Sequence, residues 1–350
     1  MTTHKSAAFA TRQNVDERAR LLLLINANWT TQAVSTAIQL GLPELLREGP
    51  QTADTLAQAA HCHGPSLARL LRALTSIDVL TESAKGRFAL TEVGALLRAD
   101  VPNSLAAWGE FCGTRSWSSW GLLVQSVRTG ESVRKQMSGI DGFHHLDNDE
   151  QGASLFNRAM VDLTQPVALA VAKQVDFYGM RLIVDVGGGY GELIASILCQ
   201  HPSLHGILFD LSHATTTVSD RLTATGVEGR CKRITGSFFN AIPDGADAYL
   251  LKSVLHDWDD HQAVRILENC RRAMIPHAKL FVIERIAPQH FSNSPHDQDI
   301  ARSDLNMLVG TGGHERTESQ YMQLLRAAKL RLTHSLQLKG PYCVIECATV

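Results

Sequence analysis

The stretch from Arg181 to Leu211, RLIVDVGGGYGELIASILCQHPSLHGILFDL, constrains the chain more than any other. It opens on Leu182, Ile183 and Val184, apolar enough for a strand buried on both faces, with Asp185 at its carboxyl end. Gly187, Gly188, Gly189 and Gly191 follow, a turn whose missing Cβ atoms let the backbone approach a ligand closely. Leu193, Ile194, Ile197 and Leu198 then recur at helical spacing, and a second apolar run, Gly206 to Phe209, ends in Asp210. Strand, glycine turn, helix, strand and acid make a mononucleotide-binding βαβ unit. A dinucleotide fingerprint needs a further glycine where Glu192 stands, and no Lys-Ser/Thr follows the turn to cradle a triphosphate. Glycines at 187, 189 and 191, with Asp210 placed to accept both ribose hydroxyls, suit a single nucleoside. The alternative is an ordinary tight βα turn.

The rest of the chain is large enough for two domains: 350 residues, 44% of them hydrophobic. A formal charge of −2 points to neither a nucleic-acid nor an anionic-membrane partner. The opening residues MTTHKSAAFATRQ lack an apolar signal core, and Leu21–Ile25 is too short to span a bilayer. Seven cysteines lie scattered without a CxxC pair, which fits reduced thiols and a cytoplasmic location.

Residues 16–46 carry a helical pattern interrupted at Gly41-Leu-Pro43, and their apolar surface suggests packing against a second copy of the chain. A short helix from Thr52, a turn at His63-Gly-Pro65, a second helix capped by Ser66 and a hairpin over 81–90 give a winged-helix arrangement. DNA binding is the obvious use of that motif. Only Arg69 and Arg72 supply positive charge on the second helix, so dimerisation is the preferred reading. His61 and His63 flank Cys62, yet no ligand pair follows at zinc-site spacing, and they read as loop residues.

Trp108, Phe111, Trp117 and Trp120 form either packed helices or a flat wall for an aromatic ligand. Residues 128–150, with His144 and His145, read as a surface loop, and 151–177 as a long helix broken at Pro166. The domain boundary is expected at 170–171. Beyond Asp210, strands at 233–235, 246–251 and 279–284 alternate with helices, notably 261–274. An insertion over 288–312, a helix over 318–329 and two strand-like stretches close the chain. The predicted class is α/β: a doubly wound, mainly parallel sheet behind a mostly helical winged-helix-like domain.

In such sheets the ligand lies outside the carboxyl ends of the strands. Asp185, Asp210, Ser237, Lys252, His256 and Glu284 all fall at those ends, so residues far apart in sequence share one crevice. A histidine there, with an acid ending the next strand, is a candidate general base; its alternative role is to cap a turn. Asp257, Asp259 and Asp260 are nearly consecutive, so helix capping is preferred to metal binding. No metal is expected.

VDVGGGYGE with FDL, GSFF, LLKSVLHDWDD, the strand ending in Glu284, and GGHERT at 312–317 resemble class I O-methyltransferases of the caffeic-acid and hydroxyindole type. That family begins with a winged-helix-like dimerisation domain, and its bacterial members methylate polyketide and phenazine hydroxyls. The resemblance implies a homodimer that uses S-adenosylmethionine to methylate a hydroxyl on a small aromatic acceptor. Members that methylate nitrogen, or bind the cofactor without transfer, are the alternative within the family; a nucleoside-sensing winged-helix regulator is the alternative outside it.

By motif, Gly187 and Gly189 face the methionine moiety, Asp210 the ribose, Lys252 the adenine region, and Phe238 stacks beside it. Ser237 stands where many members carry an Asp on the adenine amino group. His256 is the implied base, with Glu284 and Glu315 orienting it. Phe156, Met160, Asn306 and Met307 match the acceptor pocket.

Overall fold

The computed structural model describes residues 16–139, 143–215 and 221–350, and these form two compact units that divide between Thr91 and Glu92. The sequence MTTHKSAAFATRQ lies outside the described residues. In the first unit, helices Glu17–Ile25, Ala27–Gln39, Leu42–Leu45, Ala53–Ala59 and Gly64–Ser76 accompany a small sheet. Its strands are β1 (Gln51–Thr52), β2 (Leu80–Glu82) and β3 (Arg87–Leu90), in the antiparallel order β1-β3-β2. Leu67, Leu71 and Leu74 recur at helical spacing on the Gly64–Ser76 helix and are all buried. The expected cap, Ser66, lies inside that helix: His63 is the N-cap, Gly64 and Pro65 open the first turn, and Ser66 Oγ bonds His63 Nδ1 at 2.9 Å.

The second unit is built on eight strands: β4 (Leu182–Val186), β5 (His205–Asp210), β6 (Cys231–Thr235), β7 (Ala248–Lys252), β8 (Lys279–Ala287), β9 (Arg316–Thr317), β10 (Leu330–Gln337) and β11 (Tyr342–Thr349). Their order is β10-β11-β8-β7-β4-β5-β6, with β9 added alongside β8. Strands β8 to β6 along this order run parallel, and β10 and β11 close the far edge as an antiparallel hairpin. Side-chain alternation buries both faces. Val184, Val186, Tyr249 and Leu251 join a core with helices Asp260–Ala273 and Glu318–Ala327. Ile183, Leu250 and Phe281 join another with helices Glu150–Gln174 and Glu192–Gln200. The chain leaves β4 first towards β5 and β6, then returns to β7 and β8, so the sheet's switch point lies at β4.

Several details depart from the sequence reading. The compact units part at 91–92 rather than 170–171, because Val167, Ala168, Val171 and Ala172 of the Glu150–Gln174 helix belong to the sheet's core. Pro166 sits within that helix without breaking it, since burial on the sheet outweighs the one backbone bond proline forfeits. The region 128–150 contains helix Val133–Ser138 and a 3₁₀ turn His144–Asn148, while residues 140–142 lie outside the described part. The insertion after 288 contains helix Pro295–Gly310, capped by Ser294. Strand β8 does not end at Glu284 but continues to Ala287, where Ile286 and Ala287 pair with Arg316 and Thr317 of β9.

Candidate active site

At the end of β4 the glycine turn takes up a shape that side chains cannot follow. Gly187 has φ +71°, and a Cβ there would stand 2.9 Å from the Val254 side chain and 3.6 Å from the Phe238 ring. A Cβ on Gly188 would lie 2.5 Å from Leu208 and 2.7 Å from Asp185 Oδ2. Asp210 faces the turn from the end of β5: its Oδ2 accepts from Gly189 N–H at 2.7 Å and its Oδ1 from Leu211 N–H at 2.6 Å. Burial raises its pKa against those two bonds. Asp185 is buried beneath the turn, and its Oδ2 has no hydrogen-bond partner among the described residues. Burial pushes it up to about 7, opposed by the charge of Lys252. Lys252 Nζ donates to Thr164 Oγ1 at 2.9 Å. Ser237 turns its Oγ towards its own loop, accepting from Phe239 N–H at 3.3 Å. Phe238 is edge-on to Trp258, with ring centres 5.9 Å apart.

The loop after β7 places His256 on a single 3₁₀ turn, Leu255–Asp257, fully within the fold. Its Nδ1 lies 3.1 Å from Glu315 Oε1 and 3.8 Å from Glu284 Oε2. Each carboxylate is itself tied down. Glu284 Oε1 accepts from Val254 and Leu255 N–H at 3.0 and 2.8 Å. Glu315 Oε1 accepts from Ser303 Oγ at 2.6 Å, and Glu315 N–H donates to Asp304 Oδ1 at 2.8 Å. Desolvation would lower the imidazole pKa, but Glu315, Glu284 and Asp257 outweigh it and raise it to about 10. Burial would raise Glu315; the facing imidazolium and its hydrogen bonds hold it below the usual range. Burial raises Glu284. With Nδ1 engaged by Glu315, the imidazole presents Nε2 as its exchangeable side.

The three neighbouring aspartates have diverged in role. Asp259 caps helix Asp260–Ala273 through Gln262 N–H, Asp260 pairs with Arg316, and Asp257 is partly buried with its Oδ1 3.9 Å from His256 Nε2.

Three of the four residues matched to an acceptor pocket, Phe156, Met160 and Asn306, sit against the aromatic stretch. Phe156 lies 5.9 Å from Phe111 and 5.5 Å from Phe143, measured between ring centres. Met160 packs with Trp108 and Phe111 around Ala107 and Ala159. Asn306 Oδ1 accepts from Trp120 Nε1 at 3.1 Å, and Met307 on the next position is buried. Trp117 stays substantially exposed, so it is not part of this cluster's packing.

A family model for an O-methyltransferase domain matches residues 120–331, and one for an O-methyltransferase dimerisation domain matches 22–100. The chain belongs to this O-methyltransferase family. The methyltransferase is 34% identical to the phenazine O-methyltransferase PhzM of Lysobacter antibioticus, over 94% of this chain and 96% of that one. It is 37% identical to the mitomycin biosynthesis 6-O-methyltransferase of Streptomyces lavendulae, over 92% of each. Among solved structures it resembles an O-methyltransferase from neocarzinostatin biosynthesis in complex with S-adenosylmethionine and 2-hydroxy-5-methyl naphthoic acid. That likeness has a TM-score of 0.76 at 30% identity, covering 92% of this chain and 96% of the other.

Several residues of this candidate site carry little sequence signal of their role. The Trp258 indole contacts Phe143, Phe238 and Phe239 together. Its place in the HDWDD run was the available signal. Ser303, Asp304 and Thr164 carry no motif at all. Arg316, adjacent to Glu315, is fully buried, whereas an arginine is read by default as surface.

Proposed function

We propose that this methyltransferase transfers a methyl group from S-adenosylmethionine to a hydroxyl of a small aromatic acceptor, with His256 as general base. The observation that carries this reading is the direct 3.1 Å contact of His256 Nδ1 with Glu315 beside a nucleoside-type glycine turn. The turn fits the cofactor: a Cβ at 187 would press on Val254 and Phe238 and one at 188 on Leu208 and Asp185, so glycine alone lets the backbone lie this close to a ligand, and the unpartnered Oδ2 of Asp185 lies beneath it. When bound, S-adenosylmethionine supplies an electrophilic methyl group on a sulfonium. Gly187, Gly189, Asp210, Ser237, Phe238 and Lys252 would hold it, Asp210 by accepting from ribose hydroxyls.

The acceptor hydroxyl is read as meeting His256 at Nε2, because Nδ1 is committed to Glu315. A phenol has a pKa near 10, so a base of ordinary histidine strength takes its proton uphill. The carboxylates beside His256 raise it to about 10, which matches the two groups and makes the transfer nearly level. Phe156, Met160, Asn306 and Met307, with the aromatic residues before them, would form the flat wall that orients the acceptor ring. In this functional division residues 1–170 supply assembly and the Phe156 and Met160 side of the acceptor wall, and 171–350 the cofactor site, the base and the Asn306 and Met307 side of that wall.

The test is product analysis with isotopically labelled methyl donor and a panel of hydroxylated benzoates, naphthoates and phenazines beside the matching amines. A methyl ether is expected from at least one hydroxyl; exclusive labelling of the amines would overturn the oxygen assignment.

We also read the protein as a homodimer working in the cytoplasm. Seven free thiols suit a reducing compartment, and no helix of the described residues is long and apolar enough to cross a membrane. Leu23, Leu24 and Trp29 are 70%, 68% and 67% exposed in the first unit, which carries the dimerisation match. Large apolar side chains in such a cluster mark an interaction face. Light scattering is expected to return twice the chain mass, and Leu23→Glu with Leu24→Glu to shift it towards one chain. A wild-type monomer would refute the dimer.

A further inference from the structure

We infer that Arg316 is a positioning residue for methyl transfer, holding the His256 loop in place through its backbone. The inference rests on His256 being the base. Arg316 has no solvent exposure, and its planar guanidinium is spent on this loop and on the start of the helix that follows it. One terminal nitrogen donates to Leu255 O and the other to Trp258 O, each at 2.7 Å. Those carbonyls bracket His256 and Asp257, so one rigid fork spans the turn that carries the base. Its Nε donates at 2.9 Å to Asp260 Oδ1, at the first turn of the next helix.

The other side of the fork is just as firmly placed. Arg316 pairs with Ile286 across β9 and β8, two residues beyond Glu284. Gly313 presses its backbone against the same loop: a Cβ there would collide with the His256 carbonyl oxygen and stand 2.5 Å from Asp257 C and 2.7 Å from Trp258 N. The segment 313–316 therefore carries one partner of the imidazole, Glu315, and clamps the backbone from which the imidazole grows. It fixes the two ends of the His256–Glu315 contact relative to one another. A misplacement of the order of 1 Å at a reacting group costs roughly a hundredfold in rate.

Arg316→Lys keeps the charge but cannot reach both carbonyls and Asp260 together. Its kcat is expected to fall by about 10- to 100-fold, with the Kd for the methyl donor within about threefold of wild type. The ascending limb of its pH–rate profile should move to lower pH, as the imidazole drifts from its carboxylates. Asp260→Asn is the gentler companion: Asp260 is exposed, and the two carbonyl bonds survive, so folding is safe and a smaller fall in kcat with the same direction of pH shift is expected. Wild-type kcat and pH profile in a folded Arg316→Lys, or in Asp260→Asn should Arg316→Lys not fold, would overturn the positioning role. His256→Ala is run alongside. If it retains full turnover, the base assignment itself fails; if it is impaired while both brace variants are normal, only Arg316 loses its role.

Discussion

Replacing His256 with alanine is expected to lower turnover by about 10²- to 10⁴-fold, roughly 3–5 kcal/mol in the barrier, with donor affinity nearly unchanged. The pH dependence gives the sharper test. With the folded pKa raised to about 10 by its carboxylate neighbours, the imidazole is charged at neutral pH. For a phenolic acceptor the resting complex therefore carries two protons, one of which must leave before transfer. Wild-type kcat/KM should rise close to tenfold per pH unit from 7 towards 10. The alanine variant should rise with the ionisation of the acceptor alone. Its deficit should shrink with acceptors whose hydroxyl titrates near 7, because they arrive already ionised. A pH–rate series over acceptors of graded acidity measures this; a deficit independent of acceptor pKa would leave His256 as a spacer. The same protonation contributes to folding stability below the unfolded value of about 6.5, and that contribution is lost as pH rises through about 10.

Asp210→Ala is expected to weaken donor binding by about 10- to 100-fold, the worth of a hydrogen bond to a charged acceptor, about 1.5–3 kcal/mol. The carboxylate also caps Gly189 and Leu211 N–H, so its loss loosens the glycine turn as well as the ribose contact. Asp210→Asn, which preserves shape without charge, should lie between. Burial raises the Asp210 pKa, so donor affinity should fall on acidification earlier than an ordinary carboxylate would cause. Calorimetry with the demethylated product across pH 5–8, beside circular dichroism, reads all three effects. Wild-type affinity in a folded Asp210→Ala would remove the ribose assignment.

The sheet was legible because burial on both faces leaves unbroken apolar runs such as Leu182–Val184, and the glycine turn because few other residues tolerate its backbone. His256 and Glu284 were found together because strand ends converge whatever their separation in sequence. The extension of β8 past Glu284 was not legible: Arg285 interrupts the apolar run there, and its partner Tyr342, whose ring centre lies 4.6 Å from the guanidinium, comes from a hairpin far along the chain. Pro166 misled for the opposite reason. Local chemistry forbids what the sheet beneath permits, and tertiary burial decided. Arg316 escaped because nothing local distinguishes a buried guanidinium from a solvated one.

The Pro295–Gly310 helix carries two kinds of information at once. Ser303 and Asp304 hold Glu315, and one turn later come Asn306, bonded to Trp120, and Met307, both members of the proposed acceptor wall. On the proposed site, an ill-fitting acceptor that displaced this helix would stretch the Ser303–Glu315 bond and lower the proton affinity of the imidazole. Discrimination between acceptors of similar size should accordingly appear in their kcat values, while their KM values stay close, and a poor acceptor would occupy the enzyme without being turned over.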